Sequence, residues 1–261
     1  MNPSQSIPAR RSLGRRAAAL GGALLIAALV AGAASPVLAV NGGACKAPYN
    51  LDLQPSSFMD ASGNPNAIDN PDFPLTPGTT WTYEGEKEGA SLLDVMTVTP
   101  DTRTIMGVTV RVVRDTAWED GILAEDTFDW YAQDDTGNVW YFGEDTREFD
   151  ENGNVTTTEG SWEAGQGPNL PGILMQAHPR SGKTYRQEFG PGVAIDMATV
   201  LSVHRHITLP AGSFGNVVLT KEYSCIEKGV DHKWYAPGVG LIAELALANG
   251  QEFIKLVGVT H

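Results

Sequence analysis

The sequence predicts an all-β protein: a single curved antiparallel sheet, a half-barrel or barrel of about ten to twelve meandering strands with little helix. From residue 73 onward, short runs rich in β-branched and aromatic residues alternate with turns of Gly, Pro, Asp or Asn. No stretch keeps an apolar period of about 3.6 residues long enough to require a helix. A sheet with so many strands must curve to bury one face, so a sandwich is the other architecture that this pattern allows.

The N-terminal residues 1–39 have the pattern of a secretory signal peptide. Arginines without any acidic residue precede the apolar run AALGGALLIAALVAGAA, and small residues lead up to Ala39. We expect cleavage after Ala39, which leaves no integral membrane span, and a retained anchor is the alternative. The arginine pairs in ARRSLGRR fit either general secretion or the twin-arginine route. The sequence therefore predicts a secreted or periplasmic protein.

The charge of the chain limits its partners. There are 18 Lys and Arg residues against 31 Asp and Glu residues, a formal net charge of −13 at pH 7. The predicted signal peptide holds four of these basic residues and none of the acidic ones, so its removal takes the charge to −17. Such an acidic surface repels phosphate backbones, which argues against nucleic acid and anionic membranes as partners. Cations or neutral ligands are favoured, and the oligomeric state stays open.

Residues 40–72 are rich in Asn, Asp, Pro, Ser and Gly. We expect them to form a coil wrapped on an antiparallel β domain of residues 73–261. Cys45 in this coil and Cys225 near the C-terminus are the only two cysteines of the chain. In an exported protein such a pair favours a disulfide. A lipidated Cys45 or a free thiol nucleophile is the weaker interpretation, because GGAC lacks a leucine-like residue and YSCIEKG offers little positive charge.

Five segments carry a resemblance to a known group of proteins: IDNPDFPLTPGTTWTY at 68–83, DWYAQDDTGNVWYFGED at 129–145, GSWEAG at 160–165, LPAGSFGNVVLTKEY at 209–223 and WYAPGVGLI at 234–242. Together they resemble a family of uncharacterised secreted bacterial β proteins. The FPL and YAPGVGL elements resemble, more distantly, the curved antiparallel sheet of periplasmic lipoprotein carriers. The resemblance implies an exported β fold and brings no catalytic residue with it.

The segment 129–145 predicts a hairpin whose pairing can be worked out. With Gly137 in a left-handed conformation, Asp134 faces Asn138 across the turn. One face of this hairpin is then apolar, and a second turn at 150–154 adds a third strand that brings Trp162 to the same face. The residues expected on the apolar face are Phe128, Trp130, Ala132, Trp140 and Phe142, with Trp130 opposite Phe142, Ala132 opposite Trp140, Phe128 opposite Glu144 and Phe142 meeting Trp162.

The other face of the hairpin is the candidate ligand site. In the same register, Asp145 lies opposite Glu159 and Tyr141 lies opposite Glu163. Like charges across a strand pair destabilise a sheet, so a bound calcium ion would relieve the repulsion. A sugar-like ligand would instead stack on the tyrosines and hydrogen-bond to the acids, and a solvated polar face without a ligand is the remaining interpretation. The candidate residues are Asp129, Tyr131, Tyr141, Asp145, Glu159 and Glu163.

A weaker candidate is a transition-metal site. His204 and His206 alternate in VLSVHRHITL, so both imidazoles point the same way on a strand. His232 or His178 would complete a zinc or copper site. The alternative is that these are polar residues on the open face of a strand.

The sequence leaves three functions open. The first is a non-catalytic binding module for a small ligand or glycan, assisted by calcium. The second is a secreted hydrolase or lyase that acts on a polysaccharide through acids such as Glu163 and Asp145. The third is a structural envelope protein without a ligand. Nucleophile elbows and phosphate-binding glycine loops are missing from the sequence, which favours binding over catalysis.

Overall fold

The computed structural model describes residues 42–87, 89–247 and 252–261. The predicted signal peptide and its cleavage site lie outside these residues. The chain begins here with helix α1 (Gly42–Lys46), followed by a short 3-10 helix (Pro55–Phe58). Among the residues described, no helix has the length and apolar character needed to cross a membrane.

The described residues form fifteen strands. In chain order these are β1 (Thr80–Lys87), β2 (Ala90–Ile105), β3 (Val108–Glu119), β4 (Ile122–Gln133), β5 (Val139–Phe149), β6 (Val155–Thr157), β7 (Trp162–Glu163), β8 (Leu170–Met175), β9 (Thr184–Arg186), β10 (Glu188–Phe189), β11 (Asp196–Leu209), β12 (Gly212–Ser224), β13 (Asp231–Ala236), β14 (Gly240–Ala246) and β15 (Glu252–Thr260).

The strands make one antiparallel sheet in the order β10-β8-β5-β4-β3-β2-β1-β15-β14-β13-β12-β11-β9, with β6 and β7 paired to β5 beside this path. Its two ends, β9 and β10, follow each other in the chain, so the sheet is nearly closed into a barrel. The predicted all-β class is confirmed. The described strands outnumber the expected ten to twelve because β6, β7, β9 and β10 are only two or three residues long.

The barrel interior is packed with tyrosines as well as aliphatic residues. Tyr83, Tyr131 and Tyr141 are all fully buried. Burying a large aromatic ring removes much apolar surface from water, while the phenol hydroxyl still requires a hydrogen-bond partner. The Tyr83 hydroxyl donates to the backbone carbonyl of Leu241 on β14, 3.0 Å away. The interior therefore combines apolar packing with fixed polar contacts.

The N-terminal segment lies against the outside of the sheet. The ring of Phe58 packs edge-on against Trp140 and Phe142, with centroid distances of 6.1 and 5.8 Å. A disulfide joins Cys45 to Cys225, as predicted, with 5.5 Å between their Cα atoms. This part of the sheet is consequently buried on both faces.

The β4–β5 hairpin has the predicted register near its turn. Gly137 takes the expected positive φ of 91°. Ala132 lies opposite Trp140, which confirms the predicted pair, and Tyr131 lies opposite Tyr141.

Beyond these pairs a β-bulge changes the register by one residue. Asp129 lies opposite Glu144, and Phe128 lies opposite Asp145. The predicted pairing of Phe128 with Glu144 is therefore wrong. Gly143 has a φ of 122°, a conformation that other residues rarely adopt. The bulge turns Glu144 to the same face as Asp129, and both acids are buried in the interior.

The third strand of the predicted ladder also pairs differently. Trp162 on β7 lies opposite Glu144, and Glu163 lies opposite Gly143. The predicted meeting of Trp162 with Phe142 and of Glu163 with Tyr141 is wrong, because the register also shifts between β5 and β6, at Glu148 and Phe149, before β7 is reached.

Candidate functional site

Three of the six predicted ligand residues lie inside the barrel. Asp129, Tyr131 and Tyr141 are fully buried. The two tyrosine rings are stacked with their centroids 4.9 Å apart. The Tyr141 hydroxyl donates a hydrogen bond to Asp129 Oδ1 over 2.6 Å. These side chains are part of the core and do not form an open surface.

The other three predicted residues face outward. Asp145 forms an ion pair with Arg147 at 3.0 Å, and Glu163 forms one with Arg103 at 2.6 Å. Glu159 is exposed in a turn outside the strands, so its predicted pairing with Asp145 is wrong. The register shift thus divides the predicted cluster between the two faces of the sheet.

Ion pairs with arginine compensate the negative charge of Asp145 and Glu163, for which the sequence suggested a bound calcium ion. Arg103 lies between Glu163 and the ring of Trp130, with its guanidinium carbon 4.0 Å from the ring centroid. Such a stacked arginine satisfies a carboxylate and covers an apolar ring at once. Across the described ranges, no group of three or more His, Cys, Asp or Glu residues is arranged to hold a metal ion.

The predicted histidines do not all lie on one element, and they form no metal-holding group of three among the described residues. His204 and His206 are exposed on β11, and the His206 ring lies against Gly215 of the adjacent strand. His232 lies on β13 beside Trp234, with ring centroids 6.1 Å apart. His178 lines a separate pocket.

A set of buried carboxyl groups lines the barrel, and of these only Asp129 was among the predicted ligand residues. They come from strands all around the barrel and have relative exposures of 5% or less. This set, here called the interior acids, comprises Asp94, Asp115, Glu125, Asp129, Glu144, Glu188, Asp196 and Glu222. Burying an ionised carboxylate is costly unless it is paired or takes up a proton. The interior acids are therefore the main electrostatic feature of the fold.

Lysine neutralises only one side of the interior. The Lys233 ammonium lies 3.5 Å from Glu222 and 3.4 Å from Glu244. Burial lowers the pKa of Lys233, but the neighbouring acids raise it above its ordinary value. This lysine consequently stays charged and pairs with the carboxyl groups of Glu222 and Glu244.

Burial raises the pKa of several other interior acids. Burial raises the pKa of Glu125 to about 8, against a hydrogen bond from Thr127 that lowers it. Burial likewise raises the pKa of Asp129 and of Glu144 well above the ordinary range, and neighbouring acids raise both further. Burial therefore favours the protonated form of all three acids over the carboxylate.

A sequence signal for the interior acids does exist. Asp115 stands between Val113 and Ala117 in alternation, and Asp94 stands between Leu92 and Met96 in the same way. Because alternate residues share one face of a strand, an acid in such a row points to the same side as its apolar neighbours.

A pocket of about 400 Å³ lies beside the turn of the β4–β5 hairpin. It is lined by Thr136, Asn138, Gln176, Ala177, His178, Arg180 and Lys183. The lining therefore combines hydrogen-bonding amides with cationic side chains.

The polar wall of this pocket is fixed by the turn beneath it. Asp134 Oδ1 accepts hydrogen bonds from the backbone amides of Thr136 and Asn138, at 2.9 and 3.0 Å. Its other oxygen accepts from Trp140 Nε1 at 2.7 Å. Burial raises the pKa of Asp134, but the hydrogen bonds from Thr136, Trp140 and Asn138 bring it below its ordinary value. Asn138 Oδ1 also accepts from the backbone amide of Ala177, 2.9 Å away.

The lining also includes the cationic side chains of Arg180 and Lys183. These two residues and His178 are exposed. In the part of the chain that the structure describes, none of them belongs to an ion pair with a carboxylate. The Lys183 backbone is fixed by pairing with Val200 and by a hydrogen bond to Arg180. The chain thus presents a concave cationic site on a protein of net charge −13.

Comparison with known proteins yields no family model and no curated protein that matches this chain. Two solved structures are similar to it. A candidate exported protein with a YmcC-like fold from Bacteroides fragilis is 16% identical, with a TM-score of 0.42 over 72% of this chain and 98% of the other. A candidate lipoprotein from Parabacteroides distasonis is 14% identical, with a TM-score of 0.40 over 72% of this chain and 97% of the other.

Proposed function

We propose that this protein is an exported binding module for a small anionic ligand, such as an acidic sugar, which it holds without turnover in the pocket beside the β4–β5 turn. The observation that carries the proposal is the grouping of Arg180 and Lys183, which form no ion pair with any carboxylate that the structure describes, in a concave site lined by amides. The Cys45–Cys225 disulfide supports export, because such bonds persist in oxidising compartments.

The lining suits a carboxylate-bearing sugar. Arginine recognises a carboxylate through paired N–H donors, and lysine adds a mobile positive charge. The amides of Asn138 and Gln176 can donate to and accept from sugar hydroxyls. A volume of about 400 Å³ falls within the range of small-molecule sites.

The surrounding charge makes the site selective. The acidic surface of the protein repels long polyanions, whereas a small anion can approach the local positive charge of the pocket. Binding should therefore weaken with added salt and favour short acidic ligands over polymers.

Calorimetric titration of the purified exported protein with galacturonate and with galactose tests the proposal. We expect galacturonate to bind more tightly, because only it offers a carboxylate to Arg180 and Lys183. The double variant Arg180→Ala, Lys183→Ala should weaken galacturonate binding by about tenfold or more.

The matched control is Arg205→Ala, Lys228→Ala, which removes the same two charges from exposed positions outside the pocket. It should bind galacturonate like the unmodified protein. Equal affinity for the acidic and the neutral sugar, or equal losses in both double variants, would show that the pocket does not recognise the carboxylate.

A further inference from the structure

We propose that Asp94 and Asp115 form a buried proton-binding site that makes closure of the barrel depend on pH. This site is separate from the anion pocket and does not rest on the function proposed for it.

The register of β2 and β3 brings the two carboxyl groups together. Asp94 lies opposite Ala117, and Met96 lies opposite Asp115. The two aspartates are thus diagonal neighbours on the inward face of an antiparallel pair, close enough for their side chains to meet. Their relative exposures are 2% and 0%.

Two adjacent buried carboxyl groups cannot both be ionised without a large energetic cost. Asp94 and Asp115 are such a pair, and among the described residues no hydrogen-bond donor reaches either carboxyl oxygen of Asp94. An ionised carboxylate has only acceptor oxygens, so two carboxylates cannot form a hydrogen bond with each other. One of the pair must carry a proton, as in other carboxyl dyads where like charges cannot both be ionised at short range.

The groups that face the pair strengthen its hold on the proton. Tyr83 of β1, Glu125 and Asp129 of β4 and Glu244 of β14 interact electrostatically with one or both aspartates, and none of them is a cation. Lys233 of β13 acts on Asp129 and Glu244.

The direction of the pH dependence follows. Burial first, and then Asp115, raise the pKa of Asp94 well above its ordinary value. A carboxyl group that binds its proton more tightly in the folded than in the unfolded state favours folding at low pH, and this contribution is lost as pH rises from the unfolded pKa through the folded pKa. Loss of the proton leaves two buried like charges between β2 and β3, in the middle of the strand order that closes the barrel. The barrel should therefore loosen at alkaline pH.

Infrared spectroscopy of the protein labelled with 13C at the aspartate side-chain carboxyl tests for the proton directly. At pH 7 we expect a protonated aspartate carbonyl band in the unmodified protein. Asp94→Asn and Asp115→Asn should each lose intensity in this band, because either change removes the shared proton. The control Asp145→Asn, an exposed residue beside Arg147, should leave the band unchanged.

Thermal unfolding between pH 5 and pH 9 tests the consequence. The melting temperature of the unmodified protein should fall as the pH rises, and Asp94→Asn should reduce that fall, because asparagine imitates the protonated acid at every pH. A band absent from the unmodified protein at pH 7 would overturn the proposal even if neither variant folds. An unchanged band in both variants, or the same fall of melting temperature in Asp94→Asn, would also overturn it.

Discussion

Glu125 shows how a single buried acid sets the stability of its surroundings. Its Oε1 lies 2.8 Å from the Thr127 hydroxyl and 3.2 Å from that of Thr146, and its pKa is raised to about 8 by burial. Unfolding at neutral pH releases the proton that the folded state holds, which favours the unfolded chain. Glutamine should keep the contacts without needing the proton.

We therefore expect Glu125→Gln to raise the free energy of unfolding by up to about 3 kcal/mol at pH 7, since each unit of pKa difference is worth about 1.4 kcal/mol. The gain should shrink towards zero near pH 4.5, where glutamate is half protonated even in the unfolded chain. Urea unfolding at both pH values measures the difference. The same gain at both pH values would contradict the explanation.

Glu163→Gln provides the control for that measurement. Its carboxylate faces Arg103 on the outer surface, so the change removes an ion pair instead of a buried titrating group. We expect a loss of less than about 1 kcal/mol, because partly exposed ion pairs contribute little.

The residues of the hairpin explain how far the sequence could predict a site. Alternation correctly grouped Asp129, Tyr131 and Tyr141 on one face. It could not say which face was open, because both faces carry aromatic residues. The apolar face is covered by Phe58, which comes from a segment remote in the sequence. Alternation within one hairpin contains no information about such a cover.

The bulge in β5 is the element on which the interior depends. Gly143 has positive φ, and a Cβ atom there would collide with the backbone of Trp162 and Glu163. We expect Gly143→Ala to lower the free energy of unfolding by more than about 2 kcal/mol, because strain from the left-handed backbone and the collision add together.

Gly153→Ala separates these two causes. Gly153 also has a positive φ, 78°, but no atom lies within 4 Å of a Cβ built there. It should lose only about 1 kcal/mol, the usual effect of placing alanine in this conformation. Guanidinium unfolding of both variants provides the comparison, and equal losses would mean that the close approach of β7 has no energetic effect.

The strand register of the hairpin can be predicted only from the turn as far as the bulge in β5. The turn residues determine the pairing of Ala132 with Trp140, because a type of turn fixes the first pairs of a hairpin. A bulge further along inserts one residue without a distinctive pattern, since Gly143 alone can equally occur in a regular strand. The β4–β5 pairings beyond it therefore changed, and Asp145 was separated from Asp129, Tyr131 and Tyr141.

At the scale of the whole molecule, closure depends on contacts between distant parts of the chain. β1 pairs with both β2 and β15, and β11 pairs with β9 and β12. Local patterns predicted the strands and the antiparallel class, because these follow from composition and turns. They could not predict the order, because a pairing such as Thr80 with Thr260 joins residues that no short segment contains.

The disulfide is the covalent form of such a distant contact. Cys45 and Cys225 are separated by 180 positions, so the bond closes most of the described chain into a loop. Closing a long loop reduces the conformational entropy of the unfolded chain, while the N-terminal segment is held against the sheet in the folded state.

We expect the double variant Cys45→Ser, Cys225→Ser to lower the free energy of unfolding by about 3 to 5 kcal/mol, measured by urea unfolding. Reductant should lower the stability of the unmodified protein by a similar amount and leave the double variant unchanged. If the double variant unfolds at the same urea concentration as the unmodified protein, the sheet pairings alone hold the N-terminal segment, and the covalent bond contributes nothing to closure.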